Sequence, residues 1–261
     1  MRKLIFLTLS MVIFTSAFAQ KATKKERREQ KHKRINALIK QEEEGLITYK
    51  RHTVFGGKVI TNGYGAFAEV GRMKSVKTGM LYQLEISEYK NHREDKQRNP
   101  NIPSAPPLIY GKQNFFYPAK LGVQYQMLFG NKSNKNGISI TGNFGGGLSM
   151  GLLRPYLVEV DKSGSPTFIS YDSPDSTLFL NGPYNGGPGI GKGWSDIKVT
   201  PGAYVKTGLR FDYGSFNETV SAIEVGLTVD FYSKKIPILV KADHKQFFFN
   251  GYVSFLFGRR R

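Results

Sequence analysis

Few side chains in this sequence stand at spacings that could do covalent chemistry. A hydrolytic site needs a His oriented by a carboxylate, beside a Ser or an activated water. His92 and the neighbouring pair Asp243-His244 are the candidates. Adjacent residues of an extended chain point to opposite faces, so Asp243 is badly placed to orient His244. His32 and His52 lie far from both, and no H-x-H or H-E-x-x-H spacing exists, so no transition-metal site is expected. Asp172, Asp175 and Asp196 share one segment, but their spacing is that of turns and not of a calcium loop. The run Gly186-Gly187-Pro188-Gly189-Ile190-Gly191-Lys192-Gly193 approaches a phosphate-binding loop. It lacks the terminal hydroxyl and is not followed by a helical pattern, so it reads as a flexible loop. No catalytic residue, metal or cofactor is expected.

A second set of polar residues is placed more regularly. Lys58, Glu69, Glu85, Lys120, Lys206, Arg210, Asp212, Glu224 and Asp230 each occupy the polar side of a segment that alternates at period two. The last such segment sets Phe247, Phe249, Gly251, Val253, Phe255 and Phe257 against Gln246, Phe248, Asn250, Tyr252, Ser254 and Leu256. Equivalent alternation marks 53–61, 64–73, 79–89, 115–129, 138–152, 198–213 and 219–231. Eight strands are therefore expected, in an all-β, closed, antiparallel, up-and-down barrel. Their connections alternate in length, with short turns at 74–78, 130–136 and 214–217 and long ones at 90–113, 154–197 and 233–245; only the very short link 62–63 breaks the pattern. Short turns on one rim and long loops on the other is the pattern of a transmembrane barrel. A soluble barrel of the lipocalin kind shares the alternation but turns Lys- and Glu-rich faces to water. Here the polar face of 138–152 is Ser, Thr, Asn and Gly, which suits a narrow interior.

On that reading the nine charged residues face the lumen, four cations against five anions. An eight-stranded lumen has room only for its own side chains, so the charges should pair into a plug. A tight turn near Ser215 would set Lys206 opposite Glu224. Gly145, Gly147 and Gly151 would leave space for long Lys and Arg side chains from other strands. Within 154–197, residues 157–172 read as a hairpin, and Tyr171, Tyr184 and Trp194 offer a recognition surface on the longest loop.

The ends of the chain supply the context. Arg2 and Lys3, the apolar run Leu4–Phe14 and Ala17-Phe18-Ala19 make residues 1–19 a signal peptide. Residues 20–50 form a basic periplasmic tail, expected to be helical over Lys24–Glu44, and 51–261 the barrel, whose short turns then face the periplasm and whose long loops 90–113 and 154–197 are extracellular. With 22% charged residues, mean hydropathy of −0.36 and no later apolar stretch of helical-span length, a helical membrane protein is excluded. The absence of cysteine excludes disulfides and thiolate metal sites. The net charge of +18 leaves about +11 for 51–261, dispersed through turns and strands. Dispersal and export argue against nucleic acid as partner; anionic lipopolysaccharide or an acidic protein fits better.

The Ala19-Gln20 junction, the eight alternating segments and a last strand ending in Phe255 and Phe257 resemble the small outer-membrane β-barrels of Bacteroidota, with OmpA/OmpX-like, porin-family architecture. In this chain Gly258-Arg259-Arg260-Arg261 follows those aromatics, where the family ends on one. The resemblance implies residence in the outer membrane among lipid and lipopolysaccharide. It suggests a non-enzymatic anchor or scaffold in an envelope or secretion complex, with an envelope protein held through the long loops or the tail 21–44. A narrow passive channel is the alternative reading. A lipid A-modifying enzyme or an outer-membrane protease is the third.

Overall fold

Alternation at period two puts one face of every long strand in apolar surroundings and the other among polar groups, and only closure spares such a sheet its unpaired edges. The computed structural model describes residues 28–33, 35–37, 49–75, 77–100, 102–132, 137–162, 164–189, 191–214 and 219–261. The chain divides into two units, 1–44 and 45–261. In the first, residues 28–33 and 35–37 are helical. The signal peptide and the rest of the expected tail helix lie outside the described residues.

The second unit runs β1 (Arg51–Ile60), β2 (Gly63–Met73), β3 (Thr78–Tyr89), β4 (Lys96–Gln97), β5 (Leu108–Ile109), β6 (Asn114–Gly130), β7 (Ser139–Pro155), β8 (Leu157–Lys162), β9 (Ser165–Ser170), a short helix Ser176–Asn181, β10 (Tyr184–Gly186), β11 (Lys198–Asp212), β12 (Thr219–Ile236) and β13 (Lys245–Arg260). Eight of these strands close a barrel in the order β1-β13-β12-β11-β7-β6-β3-β2, with each neighbour antiparallel. They are the eight segments expected from alternation, extended by a few residues at some ends. The seam between first and last strands is continuous from His52↔Arg260 to Ile60↔Tyr252. Closure leaves the barrel no edge to template pairing with another chain.

One end of the barrel carries the β2–β3, β6–β7 and β11–β12 turns together with the start of β1 and the end of β13. The other carries the three long connections and the tight β1–β2 turn. β8, β9 and β10 stay out of the barrel and form their own three-stranded sheet, order β10-β8-β9. The expected hairpin over 157–172 is its β8–β9 pair, in register from Leu157↔Ser170 to Lys162↔Ser165.

Two expectations fail at the level of register and packing. Lys206 lies opposite Thr228, while Arg210 lies opposite Glu224, a slip of four residues from the tight-turn register. The β11–β12 connection is longer than a two-residue turn; its residues 215–218 lie outside the described residues. The interior glycines also serve other partners. A Cβ on Gly151 would meet Phe116 and Tyr232, and one on Gly145 or Gly147 would meet the backbone of β6. These positions admit rings and a close strand approach, not Lys and Arg stems. Gly122 likewise lies under the Tyr204 hydroxyl, and Gly208 and Gly226 under that of Tyr252.

Candidate functional site

The barrel is inside-out relative to a soluble domain. Leu148 is 69% and Phe249 67% exposed, whereas Glu224 is 1% and Glu69 0% exposed. Val225 and Leu209 are exposed too, in a belt with Phe55, Leu84, Leu121 and Val205. An unbroken apolar exterior of this size does not face water in a monomer. Such a wall sits in lipid, and an up-and-down barrel with this loop asymmetry is the architecture of the bacterial outer membrane.

The lumen is filled in three layers, and the alternation of each strand decides what enters it. In the middle layer the Arg210 guanidinium donates from Nη1 and Nη2 to the two oxygens of Glu69 at 2.8 and 2.7 Å. Its Nε reaches Glu224 Oε2 at 2.8 Å. Glu224 Oε1 lies 2.9 Å from Lys206 Nζ and also accepts from the Tyr252 hydroxyl at 2.8 Å, while Asn143 donates to its other oxygen. Lys58 donates to Glu85, and Lys120 Nζ bridges Glu85 and Asp230 at 3.9 and 2.6 Å. Four cations thus meet four carboxylates, all buried. Mutual satisfaction is what makes charge tolerable there, because a lone buried ion carries a desolvation cost of several kcal/mol.

Towards the long-loop end the same inward positions carry rings. Phe116 packs against Tyr89, Tyr232 and Phe248 with centroids 5.7, 5.2 and 5.5 Å away. Ile236, Ile238 and Leu239 from the β12–β13 end join this cluster. Towards the short-turn end Val54, Phe67, Val220, Ala222 and Leu256 make a smaller apolar layer. Beyond it Asp212 pairs with Arg260 and, at 3.3 Å, with Lys132. Eight of the nine charged positions expected inside therefore come together in the middle layer, and Asp212 stands apart from them at the mouth. The ring layer was not anticipated, although Phe116, Tyr232 and Phe248 share parity with Lys120, Asp230 and Asn250, and that parity was readable.

Above the barrel the long loops build a cap with a core of its own: Leu108, Ile109, Tyr156, Val158, Val160, Ile169 and Phe179. Main-chain bonds tie the loops to one another, Gln113 N to Ile238 O at 2.8 Å, Val240 N to Gly111 O at 2.9 Å and Gly187 N to Pro106 O at 3.0 Å. Inside the cap Lys112 Nζ lies 2.8 Å from Glu94 and 4.4 Å from the Phe115 centroid. Burial pushes the Lys112 ammonium down from its ordinary pKa, against the opposing pull of Glu94. Burial also pushes the Tyr156 hydroxyl up to about 12; that hydroxyl accepts from Ile109 N at 2.8 Å.

The three aromatic residues expected to form a recognition surface are split by the cap. Tyr171 and Tyr184 are half-buried against the cap core, Tyr171 edge-on to Phe179. Trp194 is 50% exposed, stacked on Tyr117 at 5.8 Å and with the Arg154 guanidinium 4.6 Å from its centroid. Asp172 and Asp175 are held by Lys198 and Lys162 at 2.6 and 2.7 Å. Among the described residues no cluster of metal-ligating side chains exists. The glycine run starts at the last residue of β10 (Tyr184–Gly186), and among the described residues no helix follows it. His92 and Asp243, not Asp243 and His244, share a shallow pocket of about 60 Å³ at the long-loop rim, with Lys90, Asn91, Lys245 and Phe248 among its walls. No Ser, Thr or Tyr hydroxyl lines it.

No protein-family model matches the sequence, and no curated protein does. Among solved structures the chain is similar to Neisserial surface protein A, at 14% identity over 81% of this chain and 95% of that one, TM-score 0.35. It is also similar to the N-terminal β-barrel domain of Pseudomonas aeruginosa OprF, at 10% identity over 80% and 98%, TM-score 0.34. A third is Ail, the attachment invasion locus protein of Yersinia pestis, solved with the heparin analogue sucrose octasulfate, at 8% identity over 81% and 97%, TM-score 0.37.

Proposed function

We propose that this chain is a non-enzymatic scaffold of the outer membrane, a sealed barrel that anchors a folded loop cap for an envelope protein partner. The observation that carries this reading is the double closure of the lumen. A neutralised charge layer lies under a ring layer, and the long loops fold over both on a core of their own. Such loops present a fixed surface, and half-exposed Trp194 sits on it as an aromatic anchor of the kind that partner surfaces favour. A secretion or surface-assembly complex is the setting that the sequence resemblance suggests.

A narrow hydrated channel is the second reading, favoured by Thr228, Asn250 and Ser254, whose buried polar atoms find no hydrogen-bond partner among the described residues. Planar-bilayer recording separates the two. A scaffold gives no unitary current steps, and a photo-crosslinker at position 194 then joins the chain to one protein while the same probe at lipid-facing Leu148 does not. Reproducible, ion-selective steps from the pure protein would replace the scaffold by the channel.

A further inference from the structure

Each strand's outward parity can be followed past the apolar belt to the short-turn rim. On β1 the outward residues Val59, Gly57, Phe55 and Thr53 lead to Arg51. On β2 Val70 leads to Arg72, and on β13 Phe257 leads to Arg259. These three strands are neighbours, and their ends are level. Arg51 lies directly opposite Arg72 on one side. On the other it exchanges main-chain bonds with Arg261, 2.9 and 2.8 Å long. Arg259 stands one row nearer the belt, opposite Thr53. Three guanidinium-bearing residues thus form a row across strands spaced about 4.8 Å apart, with a fourth above it.

Like charges directly opposite each other destabilise a sheet. All four arginines are exposed, and the ion pairs among the described residues include none of them; the rim's one paired arginine is Arg260, on Asp212. Elsewhere on this rim the outward places are apolar at Phe129 on β6, at Ile138 just before β7 and at Tyr213 just after β11. The cations are therefore gathered on one side and on the lipid-facing parity, immediately below Phe55, Val70 and Phe257. That is the depth at which headgroups meet the wall. A protein docking along the barrel axis would meet the turns first, whereas these side chains point sideways into the leaflet.

We infer that the β13-β1-β2 edge at the short-turn rim is a binding site for the phosphate headgroup of an anionic phospholipid in the periplasmic leaflet. Planar guanidinium groups suit phosphate oxygens, and several of them around one phosphate relieve the repulsion within the row. The site is independent of the scaffold reading, since it touches neither lumen nor cap.

The test uses the full chain in nanodiscs of phosphatidylethanolamine with phosphatidylglycerol, released into native mass spectrometry. The wild type retains phosphatidylglycerol over phosphatidylethanolamine by on the order of tenfold, the effect of a few cations at a charged surface. R51Q/R72Q/R259Q loses that preference, while K96Q/R98Q/K235Q, the same charge change at the opposite rim, keeps it. R51K/R72K/R259K, which closes the barrel with its charge intact, keeps most of it and serves if the glutamine variant fails to fold. No preference in the wild type, as expected if the row instead holds an acidic protein, or equal loss in both glutamine variants, overturns the site.

Discussion

At the level of Glu69, Glu85 and Glu224 the lumen is crossed by ion pairs; towards the long-loop end, at Tyr89, Phe116, Tyr232 and Phe248, it is filled by rings. Both layers exclude solvent from a barrel of one diameter, but by different physics. Each ion pair is directional, so the middle layer works only when every member is present. The rings work by volume and tolerate a neighbour of similar size. Two tyrosines belong to both: the Tyr89 hydroxyl donates to Asp230 at 2.6 Å and accepts from Lys120 at 2.9 Å while its ring packs on Phe116, and Tyr252, in the same cluster, donates to Glu224 at 2.8 Å. A lumen held only by charge would need a counter-ion for every side chain. One held only by rings would leave nothing to fix which strand meets which.

The two layers should differ most in their response to Arg210→Met. It leaves Glu69 and Glu224 without their shared guanidinium, and the expected loss is about 4 kcal/mol in denaturant unfolding from lipid vesicles. Adding Glu69→Gln to the same chain leaves three cations facing three carboxylates, with Glu224 still paired to Lys206, and should restore most of that loss. A double variant no more stable than Arg210→Met alone would show that the layer acts by packing. Phe116→Ala should cost about 3 kcal/mol, because it opens a cavity between three other rings. Phe116→Leu should cost far less, and equal losses for the two would remove volume as the explanation.

Much of this contrast was legible in the sequence, and the residues show why. Period-two alternation reports the face of each residue, so the eight strands and the inward set from Lys58 to Asp230 could be read directly. Register is a pairwise property, and the sequence carries no signal for the length of the β11–β12 connection, so Lys206 was set against Glu224 when Arg210 occupies that place. The ring layer was hidden by chemistry, not by parity. Phe248 and Phe116 sit among polar inward neighbours and look like exceptions until Tyr89 and Tyr232 are seen at the same height. The cap was half visible. The β8–β9 hairpin has a turn signal, but the core joining Ile109, Tyr156 and Phe179 is made by loops distant in sequence and without periodicity. The charge excess read as dispersed because Arg51, Arg72 and Arg259 are far apart in the chain and adjacent only once the barrel closes.

Glycine tests the same contrast between inside and outside at a smaller scale. Gly122→Ala would push a methyl group into the Tyr204 hydroxyl and the Gly146 carbonyl, and overpacking of this kind costs about 2 kcal/mol. Gly57 lies on the lipid-facing side of β1 with nothing near its missing side chain, so Gly57→Ala should be neutral or stabilising by about 0.5 kcal/mol. Equal effects in an unfolding series would mean that inward glycines owe their place to backbone freedom and not to close approach.

The smallest effect lies outside the barrel, where a pair like those of the lumen is set in solvent. Asp172 is held below the usual carboxylate range, first by the hydrogen bond from Lys198 and further by that from Gln113, which donates at 3.1 Å. A depressed folded-state value means that the contribution to the cap is present above the ordinary carboxylate pKa and is lost as pH falls through the depressed one. Lumen pairs do not share this exposure, so acid should loosen the cap before the barrel. Hydrogen exchange at β9 should therefore quicken as pH is taken from neutral to below the ordinary carboxylate range, after correction for the intrinsic rate, while exchange at β12 stays unchanged. The size should stay under about 1 kcal/mol, as for other exposed pairs. Asp172→Asn should abolish the pH dependence at β9 without touching that of the lumen. If β9 and β12 instead respond together in the wild type, the cap and the charged layer unfold as one unit, and the division of the molecule into a sealed wall and a separately folded surface fails.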